Sequence, residues 1–470
     1  MSFLLPDAVV RRTALRGATV SSVRAEPRGH GRLARRRTAG AAISFLALLL
    51  TAGGCESAPA VGDGPYAKVL GRAIPKVEQA TGLTFKETPV LQTRSKDEVR
   101  EFLLRQLTSE RAATTLAGQE RVYKLLGLIP PTTDLNALLR RLLEEQIVGY
   151  YDPATKVLYV VDDVRSDLVE VTITHELVHA LQDQYVNIDS IQKATDDADR
   201  QLAAQAILEG QAVYAQLRAS MGENALRLGG WQRARTAMRD AQEGMPVFSN
   251  APMVVRESLL FPYTGGADFM HRFGERRRSD NVLDDMPVSS RQLLSDGAYF
   301  GTGDTPAGPA ERLYPWKVTL PAPSRGRVVY NNVFGEFETR LILFEYIPNE
   351  LQAGRAAQGV NGDRFALIEL PEGDALVWAS AWDNAVEAAE FVDQFTNWLR
   401  KRYARIGSND AIDARTRTWY APADTARGRQ ARSVIVHVET RGSRPLVVIT
   451  DAPYLKAAGL IDPARITIDD

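Results

Sequence analysis

From Ser95 onward the apolar positions Val99, Phe102, Leu103 and Leu107 recur at helical spacing, and Ser95 stands three residues before Glu98 as in a capping box. A helix is predicted there. A second helical stretch covers about 114–126, closed by Gly127 and Pro130-Pro131. A third opens near Asp134 with Leu135, Leu138, Leu139, Leu142 and Leu143 and lasts to about Glu145. The period then changes to two. Ile147-Val148-Gly149-Tyr150-Tyr151 and Val157-Leu158-Tyr159-Val160-Val161 flank Asp152 to Lys156, which predicts a hairpin. From about Ser166 the pattern is helical again through Leu168, Val171, Leu177, Val178 and Leu181, so a strand pair feeds directly into a helix.

Gly and Pro are frequent over 301–323 and mark a boundary near residue 310. Beyond it, Thr339 to Tyr346 fits a helix or a strand, 365–370 and 375–379 read as strands joined by Pro371 to Asp374, and Asp383 caps a helix carrying Phe391, Phe395 and Leu399. A last hairpin, 433–439 with 445–450, turns at Arg441-Gly442-Ser443. No repeat with a period of roughly 20 to 50 residues stands out, which argues against a solenoid. The expected fold class is α+β: a domain over 65–310, then a smaller α+β domain over 311–470 whose role the sequence does not reveal.

Composition sharpens this at the N-terminus. The 470 residues are 44% hydrophobic and 24% charged, enough apolar content for a core, which excludes disordered and collagen-like chains. Lys+Arg at 57 against Asp+Glu at 58 gives a net charge of -1, so no nucleic-acid partner is expected. Residues 1–54, however, hold nine Arg and two acidic side chains; without them 48 basic and 56 acidic residues remain, a charge of -8. The basic stretch Arg32 to Arg37, the short apolar run Ala41 to Leu50 and then Ala52-Gly53-Gly54-Cys55 have the order of a secretory signal. Small residues before a Cys resemble the lipobox of bacterial lipoproteins. That resemblance implies cleavage after residue 54, lipidation of Cys55, the chain's single cysteine, and a protein exported and tethered to the bacterial cell membrane through its lipid anchor. Residues 55–64, small and containing Gly and Pro, read as the tether.

The helix after the hairpin carries His175-Glu176-Leu177-Val178-His179, the His-Glu-x-x-His pattern of zinc peptidases. Positions four apart share a helix face, so both imidazoles can reach one tetrahedral ion with bonds of about 2.0–2.1 Å. Chance is a poor explanation, since about 0.007 such matches are expected in a chain with five His. A third ligand is needed. Gln182 and Tyr185 occupy the positions where a metzincin would carry Gly and His, which leaves a carboxylate from a later helix. Ala203 to Tyr214 has that helix's pattern, with Glu209 as the expected ligand.

The pair of segments His175 to His179 and Leu208-Glu209-Gly210-x-Ala212 resembles the gluzincin metallopeptidases. Within that clan, Gly149 to Pro153, Tyr159 to Val161 and His175 to Gln184 resemble a group of bacterial lipoprotein metallopeptidases, most strongly over 146–214. The resemblance implies a zincin-like catalytic domain, helices around a small mixed sheet. It also implies zinc held by His175, His179 and Glu209, with Glu176 as the base that takes a proton from water and returns it to the leaving nitrogen. For the oxyanion it implies a further donor after the third ligand: Tyr263 in Phe261-Pro262-Tyr263-Thr264-Gly265-Gly266 is preferred, its glycines read as bends that turn the phenol into the cleft, with His271 and Tyr299 as alternatives. In zincin folds the strand before the metal helix holds an extended peptide substrate, here Val157 to Val161, and Asp183 stands where it could orient a ligand histidine. One departure is visible. Where relatives continue Pro287-x-Ser289-Ser290-x-Gln292-Leu293-Leu294 with His-Pro, this chain has Ser295-Asp296, followed by Tyr299. Two other readings stand beside peptide hydrolysis: a catalytically silent zincin-fold binding or chaperone-like lipoprotein, and hydrolysis of another amide such as a peptidoglycan cross-link.

Overall fold

The computed structural model describes residues 64–107, 109–146, 148–162, 166–193, 197–277, 280–302, 308, 311–403, 406–413, 415–425 and 428–469. Cys55, the leader and all but the last residue of the tether lie outside them. The chain opens with helix α1 (Ala67–Thr81), strand β1 (Val90–Arg94), and helices α2 (Lys96–Leu107), α3 (Glu110–Leu126) and α4 (Leu135–Gln146). Strands β2 (Gly149–Asp152) and β3 (Val157–Val161) follow, then helices α5 (Ser166–Asp183), α6 (Ile188–Lys193) and α7 (Ala198–Met221). The fold is α+β.

The expected hairpin forms around an Asx turn, in which Asp152 accepts from the Ala154 amide at 3.0 Å and the Thr155 hydroxyl at 2.8 Å. Its role in the sheet differs from the expectation. β3 is the central strand, in register with parallel β1 from Val90–Val157 to Arg94–Val161 and with antiparallel β2 on its other side. Val157 to Val161 therefore has no open edge, and the outer strand beside α5 is β2. Helix α5 is sandwiched. Its Val169, Ile173, Leu177, Val178 and Leu181 pack against Leu158 and Val160 of β3, Leu70, Ala73 and Val77 of α1, and Ala212 and Ala215 of α7. A helix apolar on so many sides is stable only when enclosed, and enclosure fixes the direction of its two imidazoles.

After helix α8 (Trp231–Glu243), the segment read as a glycine bend is the middle of a continuous 24-residue helix, α9 (Met253–Arg276), with Pro262 and Tyr263 inside it. The physical reason is contact with α7. A Cβ on Gly266 would lie 1.9 Å from the Ala206 carbonyl oxygen, and one on Gly210 2.2 Å from the Gly266 carbonyl carbon. These glycines let two backbones touch rather than turn. The contact places Glu209 on α7 against the helix that carries Tyr263.

Past residue 310 the chain adds β4 (Lys317–Thr319), β5 (Arg327–Asn332), α10 (Gly335–Tyr346), α11 (Glu350–Ala357), β6 (Val360–Leu370), β7 (Gly373–Trp382) and α12 (Ala385–Arg402). It ends with β8 (Gly407–Asp413), β9 (Thr416–Ala421), β10 (Arg432–Arg441), β11 (Arg444–Pro453) and β12 (Thr467–Asp469). Thr339 to Tyr346 is thus helical. Seven strands form an antiparallel sheet in the order β5-β6-β7-β11-β10-β9-β8. Alternation sorts its residues: Leu367, Leu376, Trp378, Val447 and Ile449 face α12, whereas Ile368, Val377, Val448 and Leu446 face the segment with Leu460 and Ile461. The first of these faces is continuous with the buried residues of α3, α4, α7 and α9, so one hydrophobic cluster runs from the helices into the sheet.

Candidate metal centre

His175 and His179 lie one turn apart on α5, and Glu209 faces them from α7; all three are buried. Their donor atoms form a nearly equilateral triangle. His175 Nε2 is 3.2 Å from Glu209 Oε2, His179 Nε2 is 3.4 Å from the same oxygen, and the two Nε2 atoms are 3.3 Å apart. Ligands on a tetrahedral ion with bonds of about 2.0–2.1 Å are separated by roughly 3.3–3.4 Å, so the triangle fits zinc without rearrangement.

The other ring nitrogens say which atoms are free. His179 Nδ1 is 2.8 Å from Gln182 Oε1, and the Gln182 amide nitrogen is spent on the Leu208 carbonyl and Gln211 Oε1, both at 2.9 Å. His175 Nδ1 faces Gln216 Oε1 at 3.3 Å. Each Nδ1 therefore carries the proton and each Nε2 presents a lone pair. Two lone pairs and a carboxylate converging in a buried space repel one another unless a cation sits among them. Burial raises the Glu209 carboxyl; with no ion among them, imidazoles that carry a proton on Nε2 and donate it to Glu209 outweigh burial and hold the carboxyl at about 2, and an ion would take the place of those protons.

Glu176 is fully buried beside this triangle. Its Oε2 accepts the Tyr151 backbone N–H of β2 at 2.8 Å, whereas its Oε1 has no hydrogen-bond partner among the described residues. Burial pushes its pKa up to about 7; His175 opposes this, Glu209 adds to it, and the Tyr151 amide opposes it. A carboxyl near neutrality with one oxygen held and one free is suited to taking up and returning a proton.

Tyr263 is brought to the site: it is 2% exposed and its ring lies 6.3 Å, centre to centre, from that of His175 at an angle of 24°. His271 is not; its Nδ1 is 3.4 Å from the Tyr214 hydroxyl and its ring stacks on Trp231. Tyr299 donates to the Asp285 carbonyl at 2.7 Å in a separate aromatic cluster, and Asp296, in the place of the expected His-Pro, pairs with Arg272 and Arg276.

Asp183 does not orient a histidine. Its Oδ2 accepts the Tyr151 hydroxyl at 2.7 Å and Lys156 Nζ at 2.5 Å, and its Oδ1 accepts the Ile188 amide at 3.2 Å. Positions 179 and 183 share a helix face, but the hairpin's Tyr151 and Lys156 and the Ile188 amide engage both Asp183 oxygens, and Gln182 takes His179 Nδ1 instead. Asp183 instead ties the outer strand β2 to the end of α5. Sequence reasoning missed Gln182, Gln216 and Tyr151. For Gln182 a signal existed, since it stands three residues after His179 on one helix face; the Tyr151 contribution is a main-chain amide and leaves no trace in residue type.

The triangle opens on a cleft of about 710 Å³ in which His179 and Glu209 meet Tyr150, Tyr151 and Asp152 of β2, with Phe102, Leu116, Leu139 and Leu208 as apolar walls. Residues 325–461 match a family described as Domain of unknown function (DUF8575), a stretch that does not include the site. No curated protein and no solved structure matches the chain.

Proposed function

We propose that the protein is a zinc metallopeptidase of gluzincin type that hydrolyses peptide bonds in an extended substrate. The observation that carries this reading is the pairing of a 3.2–3.4 Å donor triangle with a buried carboxylate whose second oxygen is free. His175, His179 and Glu209 would hold the ion, which when bound supplies positive charge to polarise a carbonyl and to acidify a water. Glu176 Oε1 takes the proton of the attacking water and passes it to the leaving nitrogen, while the Tyr151 N–H keeps Oε2 out of that exchange. Tyr263, beside His175, is the candidate donor to the oxyanion. As the outer strand lining the cleft, β2 replaces β3 as the surface on which an extended peptide adds as a further strand.

The leader and Cys55 support an exported protein tethered to the bacterial membrane by lipid. Among the described residues no helix is long and apolar enough to cross a membrane. The test is metal analysis of the purified protein together with chelator-reversible cleavage of an unfolded protein. One zinc per chain and cleavage restored by zinc are expected. Stoichiometric zinc with no cleavage of any peptide would favour the silent binding protein; cleavage confined to a peptidoglycan cross-link would favour the other amide.

A further inference from the structure

A second cleft, of about 920 Å³, opens where the end of α3 and the start of α9 meet the end of α12 and strand β10, and it shares no lining residue with the cleft at His179. Part of its wall is apolar, with Leu128, Ile129 and Met253. Four guanidinium groups line it: Arg121 and Arg432 have carboxylates, Arg432 pairing with Asp451 at 2.7 Å, whereas Arg402 and Arg429 form no ion pair among the described residues. Arg402, 6% exposed, donates one nitrogen to the Leu125 carbonyl, and its Nε and Nη1 have no partner among the described residues. Arg429 donates to the Arg402 carbonyl and reaches the Tyr346 hydroxyl at 3.5 Å. Tyr403 is 5% exposed, its ring 4.9 Å from the Arg402 guanidinium, and its hydroxyl also lacks a partner among the described residues, as does Arg432 Nη2.

The remaining cations of the lining are already neutralised: Arg121 by Asp374 and Glu369, Lys124 by Glu120. Arg402, which is buried, and Arg429 thus form no ion pair among the described residues, and of the two carboxylates in the lining Asp374 is taken by Arg121 while Glu345 pairs with neither of them. A buried cation is unfavourable without an anion, and a planar guanidinium fork is matched best by a carboxylate or phosphate. The volume exceeds that of a bare ion and falls in the range of small-molecule sites, about 300–1,000 Å³.

We propose that this cleft binds a small organic oxyanion, a carboxylate or phosphate monoester on an apolar body, whose anionic end is taken by Arg402, Arg429 and Tyr403. The ligand and the hydrolytic site occupy separate clefts, so the proposal does not depend on peptidase activity.

The test is calorimetric titration and thermal denaturation of the purified full chain with phenylacetate, phenyl phosphate and inorganic phosphate, at constant ionic strength in chloride. Tyr403→Phe removes an unpartnered hydroxyl, so its melting temperature without ligand should be unchanged or higher; Arg429→Gln is the second variant. Saturable binding of at least one probe is expected, with affinity lowered about tenfold or more in both variants. Tight binding of the two phenyl compounds only assigns an organic ligand, and equal binding of inorganic phosphate assigns free phosphate as the source of the oxyanion. No saturable binding of any probe, or binding unchanged in both variants, would overturn the proposal.

Discussion

Tyr151 donates its backbone N–H to Glu176 Oε2 at 2.8 Å, and the same residue's hydroxyl donates to Asp183 at 2.7 Å. One residue of the outer strand thus grips the metal helix twice, at the candidate base and at the helix end. The grip leaves Glu176 Oε1 alone to face the chemistry. Asp183 touches no candidate ligand; it holds the strand that holds the carboxylate.

If Gln182 and Gln216 set the ring tautomers, truncating either loosens the ion rather than the fold. Gln182→Ala is expected to weaken zinc binding about 10–100-fold, the usual effect of removing a group behind a ligand histidine. Competition with a chromogenic chelator measures this, and unchanged zinc affinity in Gln182→Ala would contradict the role given to Gln182.

The approach of α7 to α9 leaves no room for a methyl group. Gly266→Ala should destabilise by about 1–3 kcal/mol or more and weaken zinc binding in the same protein, because the shift moves Glu209. Denaturant unfolding and metal analysis read the two effects. A variant as stable as the parent would contradict the packing described here.

For Tyr263 the informative variant is Tyr263→Phe, which preserves the ring beside His175. An oxyanion donor predicts kcat reduced by roughly 10²-fold with KM little changed. Unchanged kcat would make Tyr263 a packing residue only.

Stability should fall as pH rises across neutrality. Burial pushes Glu336 up to about 8, against the opposing pull of Arg291 and Arg340, and Asp363 up to about 6. A carboxyl raised in the fold keeps its proton to higher pH folded than unfolded. Its contribution is complete below the ordinary carboxylate range, declines as the unfolded chain ionises and is lost through the folded pKa. The sum is on the order of a few kcal/mol. Urea unfolding with chelator present, so that metal occupancy does not enter, should show lower stability at pH 8.5 than at pH 5.5, and Glu336→Gln should flatten that slope.

Much of the site was legible because it is written locally. His175, Glu176 and His179 sit within one helical turn, and Glu209 has its own short motif on an apolar helix. What was not legible depends on contacts far apart in sequence. The pairing of β1 with β3 turned the expected outer strand into the central one, and no residue of Val157 to Val161 records that. Pro262, Gly265 and Gly266 carry turn chemistry, yet the demand of α7 for a flat neighbour keeps them helical. Helix α1 escaped notice because it spends small residues, Ala73 and Ala80, on its buried face and holds Pro75 in its middle.

Glu176→Gln separates the two roles proposed for the site, proton transfer by Glu176 and ion binding by the triangle. Metal content and cleavage of an unfolded protein should be measured side by side for the unmutated protein and this variant. The account predicts one zinc in both and a rate reduced at least about 10²–10⁴-fold in the variant. Equal cleavage by the two proteins, or a variant that has lost its zinc along with its activity, would contradict it.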